Sequence, residues 1–313
     1  MSVIAREQSA RPRPRTKPSP NAIAAFPNAL LNLGFFVYTV CCIAPVVLIL
    51  MGSLTNEAVL HHDGFSFIPK QFSTLAYQYI FSDFGQVLHS YGVSIFITVV
   101  GSLASVLLTA MFAYPLSRSD FRYRGFFAFV VIIPLLFNGG LVPWYMVYSS
   151  LLHLKDTLLV LILPLLIAPF NVIIMRTFFS SSVPVSIIES AKMDGAGEFQ
   201  IFFRMVLPLS TPVLATVGLF QSLAYWNDWF NALMFMTNDS ILPLQYLLYR
   251  VQSTLQVLTN LNASGQGGTS ATDLPDLTAR MALCVVTIGP VILAYPFLQR
   301  FFVKGLTVGA IKG

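Results

Sequence analysis

Long stretches without a single Asp, Glu, Lys or Arg constrain this 313-residue chain more than any motif does. Five of them reach membrane-spanning length: Leu30 to Leu54, Tyr91 to Ser117, Gly125 to Leu154, Thr157 to Met175 and Met205 to Asn227, with a sixth at Met281 to Gln299. Crossing a hydrocarbon layer of about 30 Å takes about 20 apolar residues at about 1.5 Å each. Charged residues make up 10% of the chain and apolar residues 56%, against roughly 25% and roughly 45–50% in soluble domains. A soluble protein of this length needs a charged surface that this composition cannot supply. The expected fold is an all-α integral membrane protein of six transmembrane helices.

The first run has an apolar part of about 23 residues behind a polar leader, longer than the roughly 7–15 residues of a cleaved signal peptide, so it is read as a retained helix. The leader, with Arg11-Pro12-Arg13-Pro14-Arg15-Thr16-Lys17-Pro18, has prolines that block a helix and nothing apolar to bury. Residues 1–29 are therefore expected to be a disordered basic tail, 30–300 the transmembrane domain and 301–313 a second tail.

Lys and Arg set the orientation. With the amino terminus in the cytoplasm, fourteen cations fall inside, among them Arg118, Arg122, Arg124, Arg176, Lys192, Arg204 and Arg300, and four outside: Lys70, Lys155, Arg250 and Arg280. Both termini are then cytoplasmic, and the net charge of +5 is a topology signal, not a nucleic-acid one. Outside, Thr55 to Ser90 and Thr237 to Arg280 are long mixed loops. Inside, Arg118 to Arg124 is a tight basic turn, and Arg176 to Arg204 alone has room for structure.

Little in the chain supports catalysis. No Gly-rich phosphate loop with Lys and Ser/Thr at the required spacing occurs, so ATP binding and hydrolysis would fall to a partner. His61, His62, His89 and His153 show no metal-ligand spacing. Cys41, Cys42 and Cys284 fall inside predicted helices, where they are expected to pack as small apolar groups with no disulfide framework. A proton-coupled carrier would carry several mid-helix acids or histidines, and a membrane hydrolase a paired nucleophile and base. An ion-gradient carrier or channel remains the alternative.

The inner loop is the informative one. Pro184 suits a first helical turn, Ser186 with Glu189 three residues on has the form of a capping box, and Gly195 suits a helix end. A helix of two to three turns over about 184–196 is predicted, with Ile187, Ile188 and Ala191 on or near one face and Glu189 and Lys192 spaced to pair. Local physics alone favours an amphipathic helix lying among lipid headgroups.

Five passages carry a resemblance. Glu189-Ser190-Ala191, Asp194-Gly195-Ala196 and Val206-Leu207-Pro208-Leu209 with Pro212 resemble the Glu-Ala-Ala loop of binding-protein-dependent ABC importer permeases, with Ser190 where the family usually has its first Ala. The ending Lys304-Gly305-Leu306-Thr307-Val308-Gly309-Ala310-Ile311-Lys312-Gly313 is similar to that of carbohydrate-uptake permeases related to the maltose transporter. Ala113 to Arg118, Phe137 to Pro143 and Ile174 to Phe179 resemble the subgroup that imports oligosaccharides released from polysaccharides.

The resemblance implies a type I ABC importer permease in the bacterial inner membrane. It would pair with a second, different but homologous permease chain, two ATPase subunits that bind the ATP and Mg, and an extracytoplasmic solute-binding protein. Glu189, Ser190, Ala191, Asp194, Gly195 and Ala196 would form the coupling helix that docks on an ATPase subunit, and Thr307, Gly309, Lys312 and Gly313 would reach the ATPase interface. The loop after Thr237 would meet the binding protein.

Substrate contacts are read from polar and aromatic residues at membrane depth. Asn138, beside Gly139-Gly140 and Pro143, interrupts the third run, and irregular backbone there must face protein or a wet cavity. Tyr225, Trp226, Asn227 and Asp228 end the fifth run; they read either as pathway lining or as groups solvated at the membrane interface, the Trp in an aromatic belt.

Overall fold

The computed structural model describes residues 25–82, 84–263, 276–290 and 292. Among these the chain is helical, with one isolated bridge between Thr55 and Phe72. It divides into two units, 1–48 and 49–313. The first is carried by helix α1 (Ala25–Ser53), of which Pro27–Ser53 has a mean hydropathy of 2.5 and the length to cross a bilayer. Because α1 begins at Ala25, the last residues of the segment read as a tail are helical; residues 1–24 and 293–313, with both predicted tails' remainders, lie outside the described residues.

The second unit opens with two short helices, α2 (Glu57–Asp63), whose first turn is capped by the Asn56 side chain, and α3 (Leu75–Ile80). Its backbone is α4 (Phe84–Ser117), 34 residues long. Small residues recur every fourth position on one face of α4, and Gly101, Ser105, Thr109 and Ala113 are all buried. The opposite side presents Ile95, Phe96, Val99, Leu103 and Leu107, all exposed. This inverts the pattern of a soluble helix. Lipid tails solvate large apolar groups as well as a protein core does, so helices associate through small residues that let their backbones approach.

The predicted third, fourth and fifth runs each contain a sharp bend. Helix α5 (Arg124–Leu136) turns by 115° into α6 (Leu141–Met146), which continues as a wide turn to Leu151. At that break Gly140 adopts φ +87, and its N–H donates to Asn138 Oδ1 at 2.9 Å. Helix α7 (Leu158–Ile162) bends by 52° into α8 (Pro169–Ser182), which runs well past the predicted end at Met175.

After α9 (Val185–Met193) come α10 (Glu198–Ile201), a wide turn over Phe202–Val206, and α11 (Leu207–Leu209). At Ser210 the chain turns by 82° into α12 (Thr211–Trp226). The fifth predicted run is therefore bent near its start, where Pro208 and Pro212 flank the corner and remove two backbone donors.

Helix α13 (Phe230–Phe235) follows, and then α14 (Leu244–Ala263). A 20-residue helix thus occupies what the sequence suggests is a long outer loop. Leu244, Leu248 and Leu255 are buried on one face of it, with Val251 packed alongside. Residues 276–290 form the last described helix, α15, covering the start of the sixth predicted run. Its first turn is capped from a distance: the Glu57 carboxylate accepts from Leu277 N at 2.8 Å and Thr278 N at 2.9 Å. A carboxylate is favoured at that position by the free N–H groups and the helix dipole.

Helix α4 packs most extensively against α12 and α8. Gln221 of α12 pins this centre. Its side-chain N–H donates to Ser105 Oγ at 2.5 Å and to the Leu165 carbonyl at 2.7 Å. Cys41, Cys42 and Cys284 are free, but all three are exposed, so the expectation that they pack inside as small apolar groups is corrected.

Candidate functional site

Helix α9 is nine residues long, within the two to three turns expected. Ile188 and Ala191 are buried and join the cluster formed by Met175, Phe179, Ile201 and Val206. They are three residues apart, one turn of helix, so a single narrow stripe seats α9 on the bundle. Ile187, expected on that face, stands at the margin of exposure, while Met193 is 88% exposed. Glu189, Ser190, Asp194 and Gly195 face outward.

The end of α9 is closely specified. Asp194 is the last half-helical residue, and Gly195 adopts φ +80. Gly195 N donates to the Lys192 carbonyl at 3.1 Å and Ala196 N to the Ala191 carbonyl at 2.9 Å. This pair of bonds is the Schellman arrangement, which needs a left-handed residue where Gly195 stands. Ala196 packs against the same apolar cluster that holds Ala191.

The start of the helix is simpler than the sequence suggests. Pro184 occupies the cap position and no side chain caps the first turn. Ser186 lies inside the helix, where its carbonyl accepts from Ser190 Oγ at 2.8 Å. The capping box is therefore not formed. Ser190 spends its hydroxyl on its own helix, so at the position where the family usually carries Ala it adds little outward polarity.

Lys192 does not pair with Glu189. Its ammonium lies 2.6 Å from the Glu198 carboxylate and 3.1 Å from that of Asp120. Asp120, in the turn after α4, is also gripped by both ends of the Arg118 guanidinium, at 3.1 and 2.8 Å. The other oxygen of Glu198 accepts from Tyr114 Oη at 2.9 Å. The Arg118 guanidinium, with the Lys192 ammonium beyond it, holds the Asp120 carboxyl well below the usual carboxylate range. Glu198 and then Asp120 raise the Lys192 ammonium above its usual value.

Asp120, Glu198 and Tyr114 are functional candidates that sequence reasoning missed. Glu198 is six residues from Lys192, off helical spacing, and Asp120 is 72 positions away, so no local pattern could join them. The one available signal was an acid inside an otherwise basic turn.

At the other candidate region, Tyr225 and Trp226 are buried within the subunit. Tyr225 Oη donates to the Ile162 carbonyl at 2.8 Å and the Trp226 indole N–H to the Thr287 carbonyl at 3.2 Å. Both polar groups are thus spent on backbone, and neither ring stands on an open wall. Asn227 is exposed and donates to Leu223 O, while Asp228 accepts from the backbone and side chain of Asn231 at 3.1 and 2.6 Å. Asn138 is exposed and turns its oxygen inward to Gly140. The aromatic residues with exposed area are neighbours that sequence reasoning passed over: Trp229 is stacked on Tyr249, with centroids 4.7 Å apart.

His61 Nε2 lies 3.1 Å from Glu57 and His62 Nδ1 2.6 Å from Asp63. Among the described residues no group of three or more His, Cys, Asp or Glu is placed to hold a metal ion. Thr307, Gly309, Lys312 and Gly313 lie outside the described residues.

The family model for the binding-protein-dependent transport system inner membrane component matches residues 97–308. The chain belongs to this family. Protein LplC of Bacillus subtilis (strain 168) is 41% identical to this permease over 271 residues, covering 87% of this chain and 90% of LplC. The polygalacturonan/rhamnogalacturonan transport system permease protein YtcP of the same organism is 37% identical over 285 residues, covering 91% and 98%. A permease chain in the crystal structure of a bacterial ABC transporter involved in the import of the acidic polysaccharide alginate superposes with a TM-score of 0.72 at 28% identity, covering 88% of this chain and 96% of that one. This permease is accordingly a multi-pass inner-membrane component of an ABC importer, with the type I permease fold.

Proposed function

We propose that this permease carries an oligosaccharide derived from a polysaccharide into the cytoplasm, paired with a second, homologous permease chain and driven by two ATPase subunits that bind ATP and Mg. A solute-binding protein outside the membrane delivers the sugar. The reading is supported by relatives named for polygalacturonan/rhamnogalacturonan transport and for alginate import. The observation that carries the coupling role is the firm seating of α9 through Ile188 and Ala191 with Glu189, Met193 and Asp194 left facing outward.

The fourteen-to-four distribution of cations supports a cytoplasmic α9 and cytoplasmic termini. In the cycle, ATP closes the ATPase dimer and draws two coupling helices together, the paired bundles rock, and the cavity opens outward; hydrolysis resets it. This is alternating access by rigid-body motion. The surface from Glu189 to Ala196 is the docking element, and Thr307 to Gly313 makes a second ATPase contact. Asp228 and Asn227, at the outer end of α12, border the sugar pathway, with Asn138 at the α5–α6 break; Tyr225 and Trp226 support that region from within.

Co-purification with the partner chains, followed by ATPase stimulation in reconstituted vesicles by the binding protein and a sugar panel, tests the reading. Oligogalacturonides and neutral pectic oligosaccharides are the first members of the panel. Stimulation by an oligosaccharide, with uptake lost when the ATPase subunit is omitted, is the expected result. Uptake that persists without the ATPase would overturn it in favour of an ion-gradient carrier.

A further inference from the structure

Helix α9 rests on the bundle through Ile188 and Ala191, and two contacts along one stripe leave a helix free to roll about its own axis. The tie that opposes such a roll comes from the side. Lys192 reaches out from the flank of α9 to two carboxylates on two different elements, Asp120 in the turn between α4 and α5 and Glu198 in α10.

Each carboxylate is itself fixed from behind, one by a residue in the last turn of α4 and the other by the residue just past it. Arg118, with its side chain only 12% exposed, grips Asp120, and buried Tyr114 donates to Glu198. The path from α9 therefore runs through Lys192 into both carboxylates and on to the last turn of α4, the longest helix of the second unit. A second fastening lies close by, where Arg176 Nε of α8 donates to the Leu116 carbonyl at 3.2 Å.

We propose that Lys192, braced by Asp120 and Glu198, is a positioning residue that fixes the roll of α9 against α4, so that displacement of α9 by an ATPase subunit moves the spanning helices instead of turning α9 in place. The proposal rests on the reading of α9 as the coupling helix. It also separates geometry from stability. Exposed ion pairs contribute little to folding free energy, yet a network whose acids are already ordered by Arg118 and Tyr114 can set an angle at small entropic cost.

The test uses the assembled transporter in vesicles with its binding protein and an oligogalacturonide, reading sugar taken up per ATP hydrolysed. Spin labels at Arg122 and at Ser186, exposed on α9, in a chain with Cys41, Cys42 and Cys284 replaced by Ser, report the spread of distances between α9 and the turn after α4. Lys192→Met is expected to co-purify with the ATPase and to melt with the wild type, while uptake per ATP falls about fivefold and the distance distribution broadens. Lys192→Arg, which can still meet both carboxylates, should restore both readouts, and Asp120→Asn should share part of the defect.

A Lys192→Met transporter with wild-type uptake per ATP and an unchanged distance distribution overturns the proposal. So does loss of the ATPase from that variant on purification, because Lys192 would then serve docking, not angle. If the wild-type complex itself shows no ATP-dependent uptake, the importer reading fails first, and the two failures are told apart by that control.

Discussion

Gly101 of α4 lies under the phenol ring of Tyr225, so close that a methyl group on its Cα would stand 2.6 Å from the ring's Cζ. The ring cannot swing away freely, since its hydroxyl donates to the Ile162 carbonyl on the helix beyond. Three helices, α4, α7 and α12, thus meet at one glycine. Gly101→Ala is expected to destabilise the subunit by about 1–3 kcal/mol through overpacking. Tyr225→Phe keeps the ring and loses only the hydrogen bond, which should cost about 1 kcal/mol. Thermal unfolding of the detergent-purified chain ranks the two; a Gly101→Ala protein that melts with the wild type would show that the helices part easily there.

Gln221 makes the complementary polar contact, bridging Ser105 of α4 and the Leu165 carbonyl before α8. Interhelical hydrogen bonds in membrane proteins average about 0.6 kcal/mol and reach about 1.7. Gln221→Leu removes two such bonds and leaves the carbonyl unpaired, so a loss of about 1–2 kcal/mol is expected on that scale. Combined with Ser105→Ala, the loss should fall short of the sum, because both changes break one shared bond. Strict additivity in the melting series would mean that the bond carries no energy.

Much of this architecture was legible because the bilayer writes it into composition. Runs without charge marked where the long apolar helices lie, and the motif from Glu189 to Leu209 pointed to the family to which the chain belongs. The bends were only partly readable. Asn138-Gly139-Gly140 announced one, whereas the corner at Ser210 sits inside an apolar run where hydropathy is blind to direction. Helix α14 was hidden by its mixed composition, although Leu244, Leu248, Val251 and Leu255 mark a helical face. The partner of Lys192 was misassigned to Glu189 because sequence spacing reports only local neighbours, and the acids that bind it arrive from other elements.

Asp156 offers a test by pH. It follows the turn after α6 at φ +58, and its carboxylate accepts from Thr237 N and Thr237 Oγ1 at 2.5 Å each and from Asn238 N at 2.9 Å. The Thr237 hydroxyl, followed by that backbone, holds the Asp156 carboxyl below its usual range. A carboxyl depressed by folding binds protons more tightly in the unfolded chain, so its stabilisation is present above the ordinary pKa of about 3.9 and is lost as pH falls through the lower folded value. The melting difference between wild type and Asp156→Asn should hold steady from about pH 5 to about pH 8 and close below about pH 4. A difference that instead grew on acidification would contradict the assigned direction.

Gly195 and Glu189 test the docking face from two sides. Proline at position 195 can adopt neither the observed φ of +80 nor the hydrogen bond from Gly195 N to the Lys192 carbonyl, since its ring fixes φ near about −65° and it has no N–H. Gly195→Pro should therefore open the end of α9, while Ile188 and Ala191 keep the rest of the helix seated and the subunit folded. Gly195→Ala retains the N–H and pays only the left-handed penalty of about 1–2 kcal/mol, so uptake should fall between wild type and Gly195→Pro. Glu189→Lys leaves the fold untouched, because Glu189 is exposed and makes no ion pair among the described residues, and reverses charge on the surface offered to the ATPase. Both Gly195→Pro and Glu189→Lys are expected to abolish ATP-driven uptake in reconstituted vesicles without lowering the yield of folded permease. Normal uptake by both variants would remove α9 from the coupling pathway.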